Sequence, residues 1–235
     1  MGFFSKLFGK KENFEFENQP LEYKQAISFN KEFSDILCSD LFIARSDYKH
    51  LIDRYKETAV FFENSLRANT LSYYCKQNKL NKEVIEKFLS SYRDIADLAK
   101  GSSIIDAHNE QYIQNHLSSE KDYLDGILKE IDAKIVLDEE QRRVILSDED
   151  YSLVIAGAGA GKTTTVAAKV RYLVEKKHID PRQILVISFT NKAVGELKER
   201  INQGLLIDCP ITTFHSAGYA ILRKQDDIKK QIVGE

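Results

Sequence analysis

A glycine-rich segment that ends in lysine and threonine carries the strongest chemical signal in the sequence. It reads Ala156-Gly157-Ala158-Gly159-Ala160-Gly161-Lys162-Thr163. Small residues let backbone N–H groups close around phosphate oxygens, and a helix that starts there adds the positive end of its dipole. In such a loop Lys162 would reach the β- and γ-phosphates of a nucleotide, and the Thr163 hydroxyl would ligate Mg²⁺. The pattern therefore predicts a phosphate-binding loop in which Lys162 and Thr163 are the catalytic residues.

The flanking residues supply the setting that such a loop needs. A short β-branched run predicts a strand over residues 152–156, and residues 164–176 predict a helix with Val166, Val170, Leu173 and Val174 on one face. Strand, glycine loop and helix in that order are the required context. Ala156 stands where the strict pattern has glycine. A glycine-rich turn without a ligand is the alternative, but Gly-Lys-Thr at a helix start has little other structural use.

Gln141 is a candidate for recognition of a base. Its amide carries donors and an acceptor that match the N6 and N7 edge of adenine. The alternative is an exposed helix glutamine.

Two further segments place aromatic and polar residues after predicted strands. Residues 184–189 form a buried-strand pattern that runs into Thr190, Asn191 and Lys192. Since ligands of open α/β sheets sit at the carboxyl ends of strands, Phe189 could stack on a base while the three polar residues contact phosphates. The alternative is a hydrophobic strand end followed by an N-capping residue.

A weaker strand-then-helix pattern surrounds Thr213, Phe214 and His215, after a predicted strand at residues 211–213. A core phenylalanine with a capped helix is the alternative there.

Four blocks, in order and spacing, resemble the start of the motor of UvrD/Rep-type superfamily 1 DNA helicases, with the helicase IV branch nearest. Residues 137–142 resemble the Q motif, 156–163 motif I, 188–193 with 196–200 motif Ia, and 212–216 motif Ib. An initial alanine is usual in motif I of that family. The family commonly has arginine, which stacks on adenine, at the position of Thr164. We therefore expect Gln141 to carry more of the adenine recognition.

The resemblance implies an ATP-dependent helicase or translocase that moves 3′ to 5′ on single-stranded DNA, with ATP and Mg²⁺ as cofactors. The nucleotide-binding residues would be Gln141, Ala156, Gly157, Ala158, Gly159, Ala160, Gly161, Lys162, Thr163 and Thr164, and Thr163 would hold the metal. The single-stranded DNA contacts would be Phe189, Thr190, Asn191, Lys192, Thr213, Phe214 and His215.

The elements that must position these residues fall into two compositional parts. Of 24 Phe and Tyr residues, 19 precede residue 137, whereas glycines are more frequent after it. Apolar stripes with helical spacing run over residues 41–66, 84–99 and 113–135, and Asn81 is a candidate cap for the second. We expect an amphipathic tail at 1–19, a helical accessory domain (bundle or hairpin) at 20–135, and part of a RecA-like ATP-binding domain with an incomplete parallel sheet at 136–235. The fold class is α + α/β.

The overall composition limits the class of protein. The net charge of −2 excludes a histone-like basic protein and a strongly acidic disordered chain. No apolar run approaches the roughly 18 residues of a membrane span. The three cysteines lack C-x-x-C spacing, which favours a reducing cytoplasm over a disulfide scaffold.

An acidic pair at the end of an apolar strand, which a phosphate-loop NTPase needs for Mg²⁺ and water, is not seen after Thr213. Asp226-Asp227 follows Arg223-Lys224-Gln225, which is no apolar strand. We therefore expect the amino-terminal piece of a longer helicase that is inactive alone. The alternative is a non-catalytic nucleotide-binding interaction protein whose helical domain docks on a protein partner.

Overall fold

The computed structural model describes residues 18–223 and divides them into two compact units. The first unit comprises residues 18–114 with 148–152, and the second comprises residues 115–147 with 153–223. All but the last two residues of the predicted amphipathic tail lie outside the described residues.

The first unit is helical, and aromatic side chains fill its core. Its helices are α1 (Leu21–Leu37), α2 (Arg45–Arg67), α3 (Leu71–Asn78), α4 (Lys82–Ile95) and the start of α5 (Ser103–Ser119). The Phe29 ring is fully buried and meets the rings of Tyr55 and Phe88 edge-on, with centroids 5.4 and 5.0 Å away. Edge-to-face packing of this kind adds stability beyond the burial of area.

The predicted stripes mark the right regions, but the helix ends differ. Helix α2 begins at Arg45 rather than near Leu41, because the Asp47 carboxylate accepts a hydrogen bond from the backbone N–H of Ala44 and closes the first turn there. Asn81 does cap α4, since its side chain accepts the N–H of Glu83. The third stripe is interrupted at Glu120, between α5 and α6 (Lys121–Gly126).

A buried asparagine fixes the segment between α1 and α2. The Asn109 side chain, on α5, donates from Nδ2 to the carbonyl of Ile43 at 2.9 Å and accepts the Ile43 N–H at 2.8 Å. Both polar groups of one backbone residue are thus satisfied by a single side chain in a buried setting.

The second unit combines helices with a small parallel sheet. After α6 come α7 (Glu139–Leu146), α8 (Lys162–Glu175), a 3₁₀ turn (Pro181–Gln183) and β1 (Val186–Ser188). Helix α9 (Asn191–Lys198) continues into a π-helical turn (Glu199–Gly204), and β2 (Ile211–Thr213) leads into α10 (Phe214–Arg223). Strands β1 and β2 pair in parallel, with Val186 opposite Ile211.

The two units divide between Gln114 and Asn115, earlier than the boundary predicted between residues 135 and 136. The reason is packing: Leu124, Ile127 and Leu128 are buried in the core of the second unit. The buried face of α8 also differs from the predicted one, since Val166 is exposed while Ala167, Ala168 and Val170 are buried.

Residues 152–156, predicted as a strand, have no regular secondary structure. Leu153 and Ile155 are 88% and 90% exposed. Strands of a parallel sheet are normally hydrogen-bonded to neighbouring strands and buried on both faces. Within residues 18–223, this segment is paired with no strand. The helix-rich fold with one parallel strand pair is compatible with the expected α + α/β class. Among the described helices, none is both long and apolar enough to cross a membrane.

We expect Asn109→Ala to lower the free energy of unfolding by about 1–3 kcal/mol, because the substitution leaves both backbone groups of Ile43 without their buried partner. Urea unfolding of the whole chain, followed by far-UV circular dichroism, measures this change. Asn78→Ala is the matched control, since Asn78 donates to the Tyr74 carbonyl on an exposed surface, and it should cost less than about 0.5 kcal/mol. Equal costs for the two variants would contradict the assigned role of Asn109.

Candidate functional site

The glycine-rich loop turns directly into α8 through backbone that only glycine adopts easily. Gly159 and Gly161 have φ of 77° and 73°, and Gly161 is the residue before the first helical turn. A Cβ at Gly161 would lie 2.5 Å from Nε2 of Gln141. Glycine is therefore favoured at position 161 by the left-handed conformation, and a Cβ there would displace the end of the Gln141 side chain.

The Lys162 side chain folds back across this loop. Its Nζ donates to the carbonyls of Ala156 and Gly157, at 3.1 and 2.6 Å. The ammonium group thus lies inside the loop, beside backbone that leads to a helix N-terminus, where a phosphate group would meet both positive charge and N–H donors. This arrangement fits the phosphate-binding role predicted for residues 156–163.

Thr163 lies on the first turn of α8, next to the loop lysine. Within residues 18–223, no three His, Cys, Asp or Glu side chains are grouped as a metal site would require. Mg²⁺ often binds through one or two protein groups together with nucleotide phosphates and water. The Thr163 hydroxyl therefore suits a metal ion that arrives with the nucleotide.

Gln141 lies between the start of α7 and the loop. Asp138 caps α7 by accepting the Gln141 N–H at 2.8 Å, and the Gln141 Oε1 accepts the Asp138 N–H at 3.0 Å. The Gln141 Nε2 also donates to the Ala160 carbonyl at 3.3 Å. Gln141 is therefore more than an exposed helix glutamine, and its amide keeps one N–H and one lone pair for a further partner.

Helix α7 is held by side-chain hydrogen bonds at both of its ends. At its start, Arg142 donates from Nε to the Leu137 carbonyl at 2.9 Å and pairs with Asp125, and this pairing lowers the pKa of the Asp125 carboxyl. At its end, Lys169 Nζ on α8 donates to the carbonyls of Ile145 and Ser147, at 2.8 and 2.6 Å. The amide of Gln141 is thus held in a fixed place relative to the loop.

An open cavity of about 920 Å³ lies beside the loop. Asp138, Gln141 and Lys162 supply polar groups to its lining. Its apolar lining comes from these residues: Val144, Leu153, Val154, Ile155, Val166, Val170, Ile184, Leu185, Val186 and Ile187. The polar groups of the cavity therefore lie on the side of the loop, and its apolar residues lie on the side of residues 153–155 and 184–187.

The second group of predicted residues follows the two paired strands. Ser188 and Thr213 are opposite each other in the parallel pair, so Phe189 and Phe214, the next residues along each strand, leave the same edge of the sheet. Their side chains are 83% and 69% exposed. The Phe214 and His215 rings form an edge-on contact with centroids 6.4 Å apart.

The threonines of this edge cap helices. Thr190 Oγ1 accepts the Ala193 N–H at 3.2 Å at the start of α9, and Thr213 Oγ1 accepts the Ser216 N–H at 3.2 Å at the start of α10. Two helix N-termini therefore face the edge that presents the exposed aromatic rings. Asn191, Lys192 and His215 are also exposed there.

Arg200 makes a contact in this unit that the sequence pattern did not predict. Arg200 donates from Nη1 to the Thr164 Oγ1 at 3.2 Å, across 36 residues of sequence. Arg200 lies inside a predicted motif, but no local pattern indicated its partner. The predicted residues themselves form two groups, one at the loop (Gln141 and residues 156–164) and one at the sheet edge (residues 189–192 and 213–215).

Comparison with known proteins adds the family context. Residues 137–232 match the family described as the UvrD/REP helicase N-terminal domain. A probable DNA helicase II homolog of Mycoplasma capricolum is 43% identical over 91 residues, which are 37% of this chain and 13% of that protein. The ATP-dependent DNA helicase PcrA of Bacillus subtilis is 41% identical over 90 residues, 37% of this chain and 12% of its own length.

The ATP-dependent DNA helicase UvrD1 of Mycobacterium leprae is 39% identical over 94 residues, 38% of this chain and 12% of its own. The chain thus spans about an eighth of these curated relatives. The resemblance to UvrD/Rep-type helicases is confirmed for residues 137–232, whereas a position nearest the helicase IV branch stays a prediction.

We expect Gly161→Ala to destabilise the protein by about 1–2 kcal/mol, because alanine is strained in the left-handed region and its Cβ would displace the Gln141 amide. Gly195→Ala is the matched control, since nothing lies within 4 Å of its Cβ position inside α9. That variant should be neutral or stabilising, by up to about 1 kcal/mol. Urea unfolding of both variants measures the difference, and a cost at Gly195 as large as at Gly161 would contradict it.

Proposed function

We propose that this chain supplies the amino-terminal part of an ATP-dependent DNA helicase that moves 3′ to 5′ along single-stranded DNA. The observation that carries the proposal is the Lys162 ammonium held inside a glycine loop that opens onto a helix N-terminus. Relatives of this segment are named as ATP-dependent DNA helicases. We assign the helical first unit the part of an accessory domain with a protein partner.

ATP would bind with its phosphates in the loop. Backbone N–H groups of residues 157–161 and the Lys162 ammonium would hold the β- and γ-phosphates, and Thr163 would share the Mg²⁺ with them. Bound Mg²⁺ would neutralise charge that develops on the phosphates. The Gln141 amide, fixed beside Ala160, would contact the adenine edge, and Thr164 would lie next to it.

Hydrolysis also needs a carboxylate that orients Mg²⁺ and the attacking water. We propose that a part of the protein beyond the described residues provides it. That part would also cover the exposed apolar face of residues 153–155 as further strands of a parallel sheet.

Single-stranded DNA would cross the sheet edge where β1 and β2 end. The exposed rings of Phe189 and Phe214 offer flat surfaces for bases, and the N-termini of α9 and α10 offer N–H groups for phosphates. Thr190, Asn191, Lys192, Thr213 and His215 surround them. Because the net charge is −2, we assign more of the affinity to stacking than to a broad basic surface.

In the full-length protein, Lys162→Ala should abolish ATP hydrolysis, because the γ-phosphate loses its nearest cation. Phosphate release with ATP, Mg²⁺ and single-stranded DNA measures this. Lys176→Ala is the matched control, because Lys176 pairs with Glu120 at the far end of α8, and it should keep normal turnover. Retention of more than about a tenth of the wild-type rate by Lys162→Ala, which is roughly 1.4 kcal/mol of barrier or less, would remove the loop from the proposed function.

Full-length Phe189→Ala should uncouple ATP hydrolysis from stimulation by single-stranded DNA, because each stacked base contributes about 1–3 kcal/mol to binding. The measurement is the DNA concentration that gives half-maximal stimulation. Tyr73→Ala removes an exposed ring from the first unit (68% exposed, against 83% for Phe189) and should leave stimulation unchanged. Normal stimulation of Phe189→Ala by single strands would show that the DNA path lies elsewhere.

A further inference from the structure

Two acidic residues cap the start of α2 from a position 104 residues further along the chain. Glu149 and Asp150 belong to the first unit together with that helix. The Glu149 Oε1 accepts the Arg45 N–H at 3.0 Å, and the Asp150 Oδ2 accepts the Ser46 N–H at 2.8 Å. The Ser46 hydroxyl also donates to the Asp150 Oδ1 at 2.7 Å. We call these two carboxylates the acidic cap.

Helix α2 depends on the acidic cap because its own residues do not satisfy its first two N–H groups. The residue before the helix is Ala44, whose methyl side chain cannot accept a hydrogen bond. The Asp47 carboxylate accepts the Ala44 N–H instead. Arg45 and Ser46 open the helix, so their N–H groups have no acceptor within it. Carboxylates are strong acceptors at this place, since the helix dipole adds positive potential.

The segment that carries the acidic cap leads directly into the glycine loop. Only residues 151–155 separate Asp150 from Ala156, whose carbonyl accepts a hydrogen bond from the Lys162 ammonium. In the described part of the chain this short stretch is paired with no strand. The acidic cap is therefore a fixed point on the chain just before the loop.

A fixed point close to a binding loop favours binding, because less of the chain has to be ordered when the ligand arrives. Without the acidic cap, residues 148–155 would have more backbone freedom before the loop closes on phosphates. The effect should appear in the affinity for the nucleotide. The rate of hydrolysis should be unaffected, because it depends on groups that contact the phosphates.

We propose that Glu149 and Asp150 are positioning residues for the glycine loop, which act by fixing the preceding segment to the start of α2. The first unit thereby contributes to nucleotide affinity through the covalent chain. This inference rests on the proposed function, because it requires that the loop binds a nucleoside triphosphate. Since coupling between two sites is reciprocal, a nucleotide in the loop also stabilises the acidic cap.

Titration of the full-length protein with MgATP, together with phosphate release at saturating ATP and single-stranded DNA, tests this assignment. Asp150→Ala should raise the Kd for MgATP by about 3- to 10-fold and change kcat by less than about twofold. Ser46→Ala removes only the hydroxyl, so the rise in Kd should be smaller, and Ser46→Thr should keep the wild-type Kd. Asp53→Ala removes the same charge from an exposed pair with Lys49 on α2, and it should change neither constant.

A double variant and amide exchange separate positioning from a general loss of stability. Ser46→Ala combined with Asp150→Ala should raise the Kd no further than Asp150→Ala alone, because both substitutions act through one contact. Saturating MgATP should slow hydrogen exchange of the Ser46 N–H in the wild-type protein. This slowing should be lost in Asp150→Ala.

The other outcomes overturn the assignment. An unchanged or lower Kd in Asp150→Ala would show that the acidic cap does not prepare the loop for ATP. A loss of kcat with an unchanged Kd would place the effect on hydrolysis, and additive effects of the two substitutions would show that they do not act through their shared hydrogen bond. A wild-type protein that does not bind MgATP would refute the proposed function itself, before any variant is compared.

Discussion

The absence of a side chain at Gly161 is the constraint on which the site depends. Because the backbone there is left-handed and has no Cβ, the Gln141 amide can approach closely enough to reach the Ala160 carbonyl. The same amide closes the capping box of α7, so the Gln141 side chain connects the start of α7 with the glycine loop. At the other end of α7, Lys169 on α8 makes a second link by donating hydrogen bonds to the carbonyls of Ile145 and Ser147. Within the loop, the Lys162 ammonium is held by the carbonyls of Ala156 and Gly157.

A second constraint comes from the parallel sheet. Strands β1 and β2 are only three residues long each, yet their parallel register brings two sequence-distant aromatic residues to one edge. The same physics explains the exposed segment before the loop, since Leu153 and Ile155 gain nothing from strand geometry without a paired neighbour. Strand formation in this unit depends on pairing within the whole sheet, whereas the conformations of the loop and of α8 depend on adjacent residues.

This difference decides what could be predicted from the sequence. The glycine loop and the cap at Asn81 depend on a few adjacent residues, and local rules located them. The division after Gln114 and the unpaired segment at 152–156 depend on burial and pairing between distant residues, and there the structure differs from the predictions. The start of α2 depends on a cap between Asp47 and the Ala44 N–H, which the apolar stripe did not indicate. Gln141 lies between these cases: its position was predicted, but the capping bond that occupies part of its amide was not.

The helix that follows β1 runs from the sheet edge to Arg200, whose guanidinium contacts Thr164 beside the glycine loop. Helix α9 starts at the sheet edge beside Phe189 and continues without interruption into the π-helical turn that carries Arg200. Val194, Leu197 and Ile201 are buried along its length, and close-packed side chains do not slide independently of one another. The edge with the exposed aromatic rings and the guanidinium at Thr164 therefore share one rigid support. In the function that we propose, this helix would be a physical connection between the DNA path and the nucleotide loop.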